Sequence, residues 1–165
     1  MNSQPSSHNA QSLESISEYA ERTSSHAATA ADSVTDTFVH RILGVPGALI
    51  GSVQVPDPRP LSQRLSIWHY WWQAHLLDCM IDAGQRHLRE GDITAAQEQL
   101  HRARALLRGI NVRNYGRFAN DYFDDMAWLT LAVGRMNSFC IELTGANDVA
   151  AQDAGAALFL SLIHI

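Results

Sequence analysis

Apolar side chains recur at steps of three and four residues in separate stretches of this sequence, and no stretch of real length alternates with a period of two. That spacing writes one face of an α-helix and gives a sheet nothing to build on, so the pattern predicts an all-α chain. Leu13, Ile16, Tyr19 and Ala20, then Ala27, Val34, Phe38, Ile42 and Leu43, trace a first helix from Ser12. Its middle, ERTSSHAATAADS, is weak enough to break, and Gly44, Pro46, Gly47 and Gly51 end it. The stretch to Pro60 carries Pro56 and Pro58 and must be loop, with Leu49–Val55 at most a short extended piece.

Ser62 is the expected cap of the most apolar helix, which sets Trp68, Trp71, Trp72, His75, Leu76, Cys79 and Ala83 on one side and ends at Gly91. Thr94 with Gln97 forms a capping box for a shorter helix whose Leu100, Ala103 and Leu107 repeat until Gly109. A further helix starts near Asn120 or Asp121 and runs through Trp128, Leu131, Met136, Phe139 and Leu143 to Gly145, after which Asp148 caps a last one. Short turns between successive helices predict antiparallel hairpins packed side by side. Residues 1–11 have nothing to bury and read as a disordered lead.

Composition removes several functions. The 165 residues carry 17 acids against 12 bases, a net charge of −5 with no basic run, which argues against nucleic acid or an anionic membrane as the main partner. All the bases are arginine, so Schiff-base chemistry and a Walker-type phosphate loop, both of which need a lysine amine, are excluded. Cys79 and Cys140 lie far apart in apolar helical stretches and read as buried thiols. The amino end shows no signal peptide and no stretch reaches a membrane-spanning length, so the expected location is the cytoplasm.

Two clusters are unusual for their helices. In Trp68-His69-Tyr70-Trp71-Trp72 the rings cover more than half of the helix circumference, so they cannot all enter one core. One reading is an aromatic core with a ring left partly exposed; the other is a sugar groove, where indole faces stack on pyranose C–H faces and Gln73 and His75 meet the hydroxyls. In Asn120-Asp121-Tyr122-Phe123-Asp124-Asp125, two adjacent carboxylates fall in a first helical turn, where the helix dipole favours negative charge. They serve either as dipole partners or as the carboxyl pair of a glycosidase, which needs one ionised and one protonated acid facing one bond. Consecutive helical positions are rotated by about 100°, so the catalytic reading requires the helix to meet the cleft end-on. Trp128, four residues after Asp124 and three after Asp125, would then keep water from one carboxyl. A metal reading of Asp121, Asp124 and Asp125 lacks a second ligand cluster, and the histidines form no HExxH pattern.

The segments WHYWWQAHLLDCMIDA (68–83) and NDYFDDMAWLTLA (120–132), with an arginine-rich turn between them and HRILGVPGALIG (40–51) before them, resemble the bacterial branch of glycoside hydrolase family 76, the α-1,6-mannanases. The resemblance spans about residues 12–145. It implies a six-hairpin α/α barrel and a retaining endo-mannosidase with mannan-type polysaccharide as its partner. Carried onto this chain, Asp124 is the nucleophile and Asp125 the general acid/base, while Trp71, Trp72 and Trp128 lie in or behind the sugar groove; no cofactor or metal is implied. A closed six-hairpin barrel has twelve helices, whereas the pattern here yields about four or five. The expectation is therefore an inactive amino-terminal part of such a domain over residues 12–159, with LSLIHI (160–165) as a non-native tail. The competing expectation is a tetratricopeptide-like interaction scaffold, suggested by TAAQEQLHRARALL (94–107), although the 34-residue self-similarity of such arrays is missing.

Overall fold

A computed structural model describes residues 7–52 and 68–164, and the side chains from Ser15 onward within them. The elements in chain order are α1 (Ser7–Phe38), β1 (Val39–Arg41), β2 (Leu49–Gly51), α2 (Tyr70–Arg89), α3 (Ile93–Arg113), α4 (Phe123–Thr144) and α5 (Val149–Ile163). The fold is all-α, and the described residues add one two-stranded antiparallel ribbon. Among the described residues no helix is long and apolar enough to cross a membrane.

Helix α2 is the central element. It packs against α3 as an antiparallel hairpin and against α4 on its other flank, and α5 then folds back onto α4. The core lies between them, with Leu77 and Ile81 of α2, Leu106 and Ile110 of α3, Leu129, Met136 and Phe139 of α4 and Leu158 of α5 all inaccessible to solvent. The buried stripe of α2 runs through Tyr70, Ala74, Leu77, Ile81 and Gly84, a clean alternation of four- and three-residue steps. This is not the tryptophan side favoured by ring size. Trp71 and Trp72 are 43% and 40% exposed and Cys79 is exposed, while Cys140 is buried as expected. Gly84 holds its place in the stripe because the Phe139 ring fills the space where a Cβ would stand, 2.5 Å from Cζ.

Several boundaries differ from the sequence pattern, each for a local reason. Helix α1 does not break in its middle: Thr23, Thr29 and Ser33 return their hydroxyls to carbonyls four residues back, so these polar side chains are satisfied on the helix itself. It reaches back to Ser7, so residues 7–11 are helical rather than a disordered lead; residues 1–6 lie outside the described set. It stops at Phe38, six residues short of Gly44, because Val39–Arg41 pair with Leu49–Gly51 across a turn containing Gly44 and Gly47, both at positive φ. Helix α2 starts at Tyr70 rather than at Ser62, which lies outside the described residues. Asp92, not Thr94, caps α3, its carboxylate accepting from the Ala95 N–H at 2.9 Å.

Helix α3 runs through Gly109 to Arg113. Gly109 is a seat for the ribbon rather than a stop: a Cβ there would lie 1.7 Å from the Leu49 carbonyl oxygen. The ribbon is also held by Gln73, whose buried amide accepts from the Gly51 N–H at 2.8 Å and donates to the Gly51 carbonyl at 3.0 Å, as a neighbouring strand would. Gly145 ends α4 at φ 77°, and Asp148 caps α5, both as the sequence predicts. Helix α5 continues through Leu160 to Ile163.

Candidate functional site

The site forms where the start of α2, the connection from α3 to α4 and the first turn of α4 converge. The α3 end turns tightly, with Tyr115 at φ 59° and Gly116 at φ 78°, and the Gly116 N–H returns to the Asn111 carbonyl at 2.8 Å. Asn114 then gathers the following segment, its Nδ2 donating to the carbonyls of Arg117 at 3.0 Å and Ala119 at 2.8 Å. Tyr70, buried at the start of α2, donates its hydroxyl to the Phe118 carbonyl. Two helices thus pin one short connection, and Arg113 adds a cationic contact over the Trp68 ring, 5.9 Å from its centroid.

The connection delivers the acids. Asn120 Oδ1 accepts from the Tyr122 N–H at 3.0 Å, an Asx turn that delays the helix to Phe123 instead of Asn120 or Asp121. Asp124 and Asp125 still fall in the first turn of α4. Both line a cleft of about 480 Å³ together with Trp68, His69, Tyr70 and Trp71 from the start of α2 and Asn114, Asn120, Asp121 and Tyr122 from the connection. Helix α4 therefore meets the cleft with its amino-terminal end, the geometry that allows consecutive residues to address one space.

The two carboxyls differ in surroundings. Asp124 is exposed and Asp125 half-buried. Burial pushes the Asp125 carboxyl above the usual carboxylate range; the Asn120 amide, donating to Oδ2 at 2.8 Å, pulls it down, the Asp124 charge adds to the rise, and His69 opposes it. Burial and the charge of Asp125 likewise raise the Tyr70 phenol, which stays a neutral donor. Asp121 lines the same cleft, but among the described residues no three His, Cys, Asp or Glu side chains converge as a metal site.

Of the expected sugar-binding rings, Trp71 lines the cleft with the acids. Trp72 and Trp128 stand outside it and join it through ring contacts: Trp72 edge-on to Trp71 at 5.5 Å, Trp71 edge-on to His75 at 5.5 Å, and His75 tilted against Trp128 at 4.9 Å. The result is a strip of half-exposed rings leading from the cleft across α2 and α4. Trp128 is part of that strip rather than a cover over one aspartate. Gln73, expected to meet sugar hydroxyls, is consumed by Gly51 in the interior, whereas His75 remains in the strip. Sequence reasoning placed Asn120, His69 and Tyr70 in the right segments without a role; the signal available was an asparagine two residues before Tyr122, an Asx-turn spacing.

No family model matches the chain, and no curated protein matches it. A solved structure does: the crystal structure of the Lin0763 protein from Listeria innocua superposes with a TM-score of 0.61 at 23% identity, covering 86% of this chain and 35% of that one. At that identity the likeness concerns the fold, and this chain spans about a third of that protein's length.

Proposed function

We propose that this chain carries the catalytic carboxyl pair of a retaining, endo-acting α-1,6-mannosidase, its helices being hairpins of an α/α barrel. The observation that carries the reading is that Asp124 and Asp125, consecutive in sequence, line one cleft together with an exposed tryptophan, Trp71. A dipole role alone would place acids at the helix start without a walled cleft or an indole lining it. Residue resemblance to the mannanases supplies the assignment of roles.

In the proposed reaction the Asp124 carboxylate attacks the anomeric carbon while Asp125 gives its proton to the departing glycosidic oxygen. The C–O bond to the leaving sugar breaks and an ester to Asp124 forms. Asp125, now a carboxylate, takes a proton from water as that water attacks the same carbon; the ester breaks and both acids return to their starting states. The unequal surroundings suit this division: Asp124 is exposed at the cleft, and half-buried Asp125, with its raised affinity for a proton, is the group placed to hold one. Trp71, continued by Trp72, His75 and Trp128, offers stacking surface for successive sugar rings.

Hydrolysis of an α-1,6-linked mannan by the full-length protein, compared with its Asp124→Asn and Asp125→Asn variants, tests the reading. Loss of about 10²–10⁴-fold in kcat for Asp125→Asn is expected for a removed general acid. Undiminished turnover in both variants would overturn the assignment. In the present chain, manno-oligosaccharides are expected to change tryptophan emission, and Trp71→Ala to abolish the change.

A further inference from the structure

Among the described residues, the side chain that hydrogen-bonds the Asp125 carboxyl is Asn120, on one of its two oxygens. The Asn120 amide is used at both ends. Its Oδ1 accepts from the Tyr122 N–H at 3.0 Å, and its Nδ2 donates to Oδ2 of Asp125 at 2.8 Å. Turning the amide over would set its carbonyl oxygen against a carboxylate oxygen and its NH₂ against a backbone N–H, two repulsions in place of two hydrogen bonds. The segment bearing Asn120 cannot drift, because Asn114 holds Arg117 and Ala119 from the end of α3 and Tyr70 holds Phe118 from the start of α2. A donor is therefore fixed on one of the two oxygens of Asp125.

We propose that Asn120 is a positioning residue for Asp125: it fixes the carboxyl plane at the cleft mouth and, by occupying Oδ2, assigns the exchangeable proton to Oδ1. This rests on the reading of Asp125 as the acid/base group. A carboxyl group carries one acidic proton, and an oxygen that accepts an N–H is the poorer place for it, so the proton resides on the other oxygen. Without Asn120 the two oxygens become interchangeable, and the proton is aimed at the leaving oxygen in only part of the population; positioning of this kind is a large share of what general acids contribute. The charged and titratable groups around Asp125 among the described residues are His69 and Tyr70 from the start of α2, Asp121 and Tyr122 from the connection and Asp124 from α4 itself.

The test is carbon-13 titration of the side-chain carboxyls in the full chain, the Asp125 signal being identified by its loss in Asp125→Asn. Asn120→Asp keeps the acceptor for the Tyr122 N–H, and hence the turn, but removes the donor; Asn120→Ala removes both. Asp125 is expected to titrate at higher pH in both variants, because the lost donor favoured the carboxylate, and higher still in Asn120→Asp, where a like charge replaces it. In mannan hydrolysis by the full-length protein the same variants are expected to lose about tenfold in kcat, the rate equivalent of one hydrogen bond. KM should be little changed, and the alkaline limb of the pH profile should move upward. Superimposable Asp125 titrations in the wild type and both variants overturn the inference. A wild-type protein that leaves mannan intact overturns the functional reading instead, and the carboxyl titration then decides by itself whether Asn120 holds Asp125.

Discussion

Asp125 works against the fold at neutral pH. Its carboxyl titrates above the ordinary range in the folded chain, so the folded state prefers the neutral acid. The associated stability is fully present below the carboxyl range of the unfolded chain, about pH 4, and is lost as pH rises through the folded value. Asp125→Asn is neutral throughout and keeps an oxygen for the Asn120 donor. Its Tm is expected to gain on the wild type as melts are moved from pH 4 to pH 7; a constant difference across that range contradicts this. Gly109 is the opposite kind of residue, one whose missing side chain is what matters. Gly109→Ala puts a methyl where the Leu49 carbonyl oxygen lies, and backbone, not a flexible tip, has to move. The expected cost is about 1–3 kcal/mol in urea unfolding, despite the better helix propensity of alanine. The sequence pattern showed Gly109 as a helix stop, since a glycine that admits a neighbouring backbone and one that ends a helix are spelled alike. The acids were legible because Asp124 and Asp125 needed only a helix start nearby; Asn120's grip on Asp125 was not, because it depends on a turn fixed by Tyr70 from another helix.

Helix α5 is tied down at its amino-terminal cap. Asp148 is almost wholly buried; its Oδ1 accepts from the Ala151 N–H at 2.9 Å and its Oδ2 from Arg104 Nε at 2.6 Å, while its own N–H donates to Asn137 Oδ1 at 2.8 Å. One aspartate thus joins α3, α4 and α5. Arg104→Ala takes one partner from that carboxylate, but the arginine side chain is itself 47% exposed, so water can enter in its place, and the expected loss is about 1–3 kcal/mol by chemical denaturation. A loss near that of an exposed ion pair, below about 1 kcal/mol, would mean that the cap alone satisfies Asp148. The cap itself was readable from the sequence, while the arginine partner lay 44 residues away and was not. Helix α1 is held differently. From Ser15 to Arg22 its described side chains are exposed, and its contacts toward α2 include a short alanine-lined face and the Ser24 hydroxyl on Glu90, the residue that follows α2. Its amides are expected to exchange with solvent well before those of α2 in hydrogen-exchange mass spectrometry; equal protection would show that α1 opens only with the whole fold.

At the scale of the molecule, the helical class and the hairpin order were written in the three- and four-residue spacing, and what spacing could not say was which face of α2 turned inward. Ring area pointed to the tryptophans, but a stripe has to interlock along its whole length, and Tyr70, Ala74, Leu77, Ile81 and Gly84 do so. Apolar area also remains on the outside: Leu131 of α4 and Val149, Phe159, Leu160 and Ile163 of α5 are each more than half exposed. Such surface is expected to bind a hydrophobic dye and to drive concentration-dependent association, and Leu160→Glu should reduce both, as measured by dye emission and sedimentation. Finally, the exposed thiol of Cys79 lies in the alanine-lined groove beneath α1, while Cys140 is closed off in the core. Burial and the charges of Asp82 and Asp78 keep the Cys79 thiol protonated, so it reacts slowly where it sits. In a chain without a single lysine amine, a maleimide reagent therefore meets one addressable side chain in the folded state, and the slower arrival of a second tag, on Cys140, becomes a clock for how often the core itself opens.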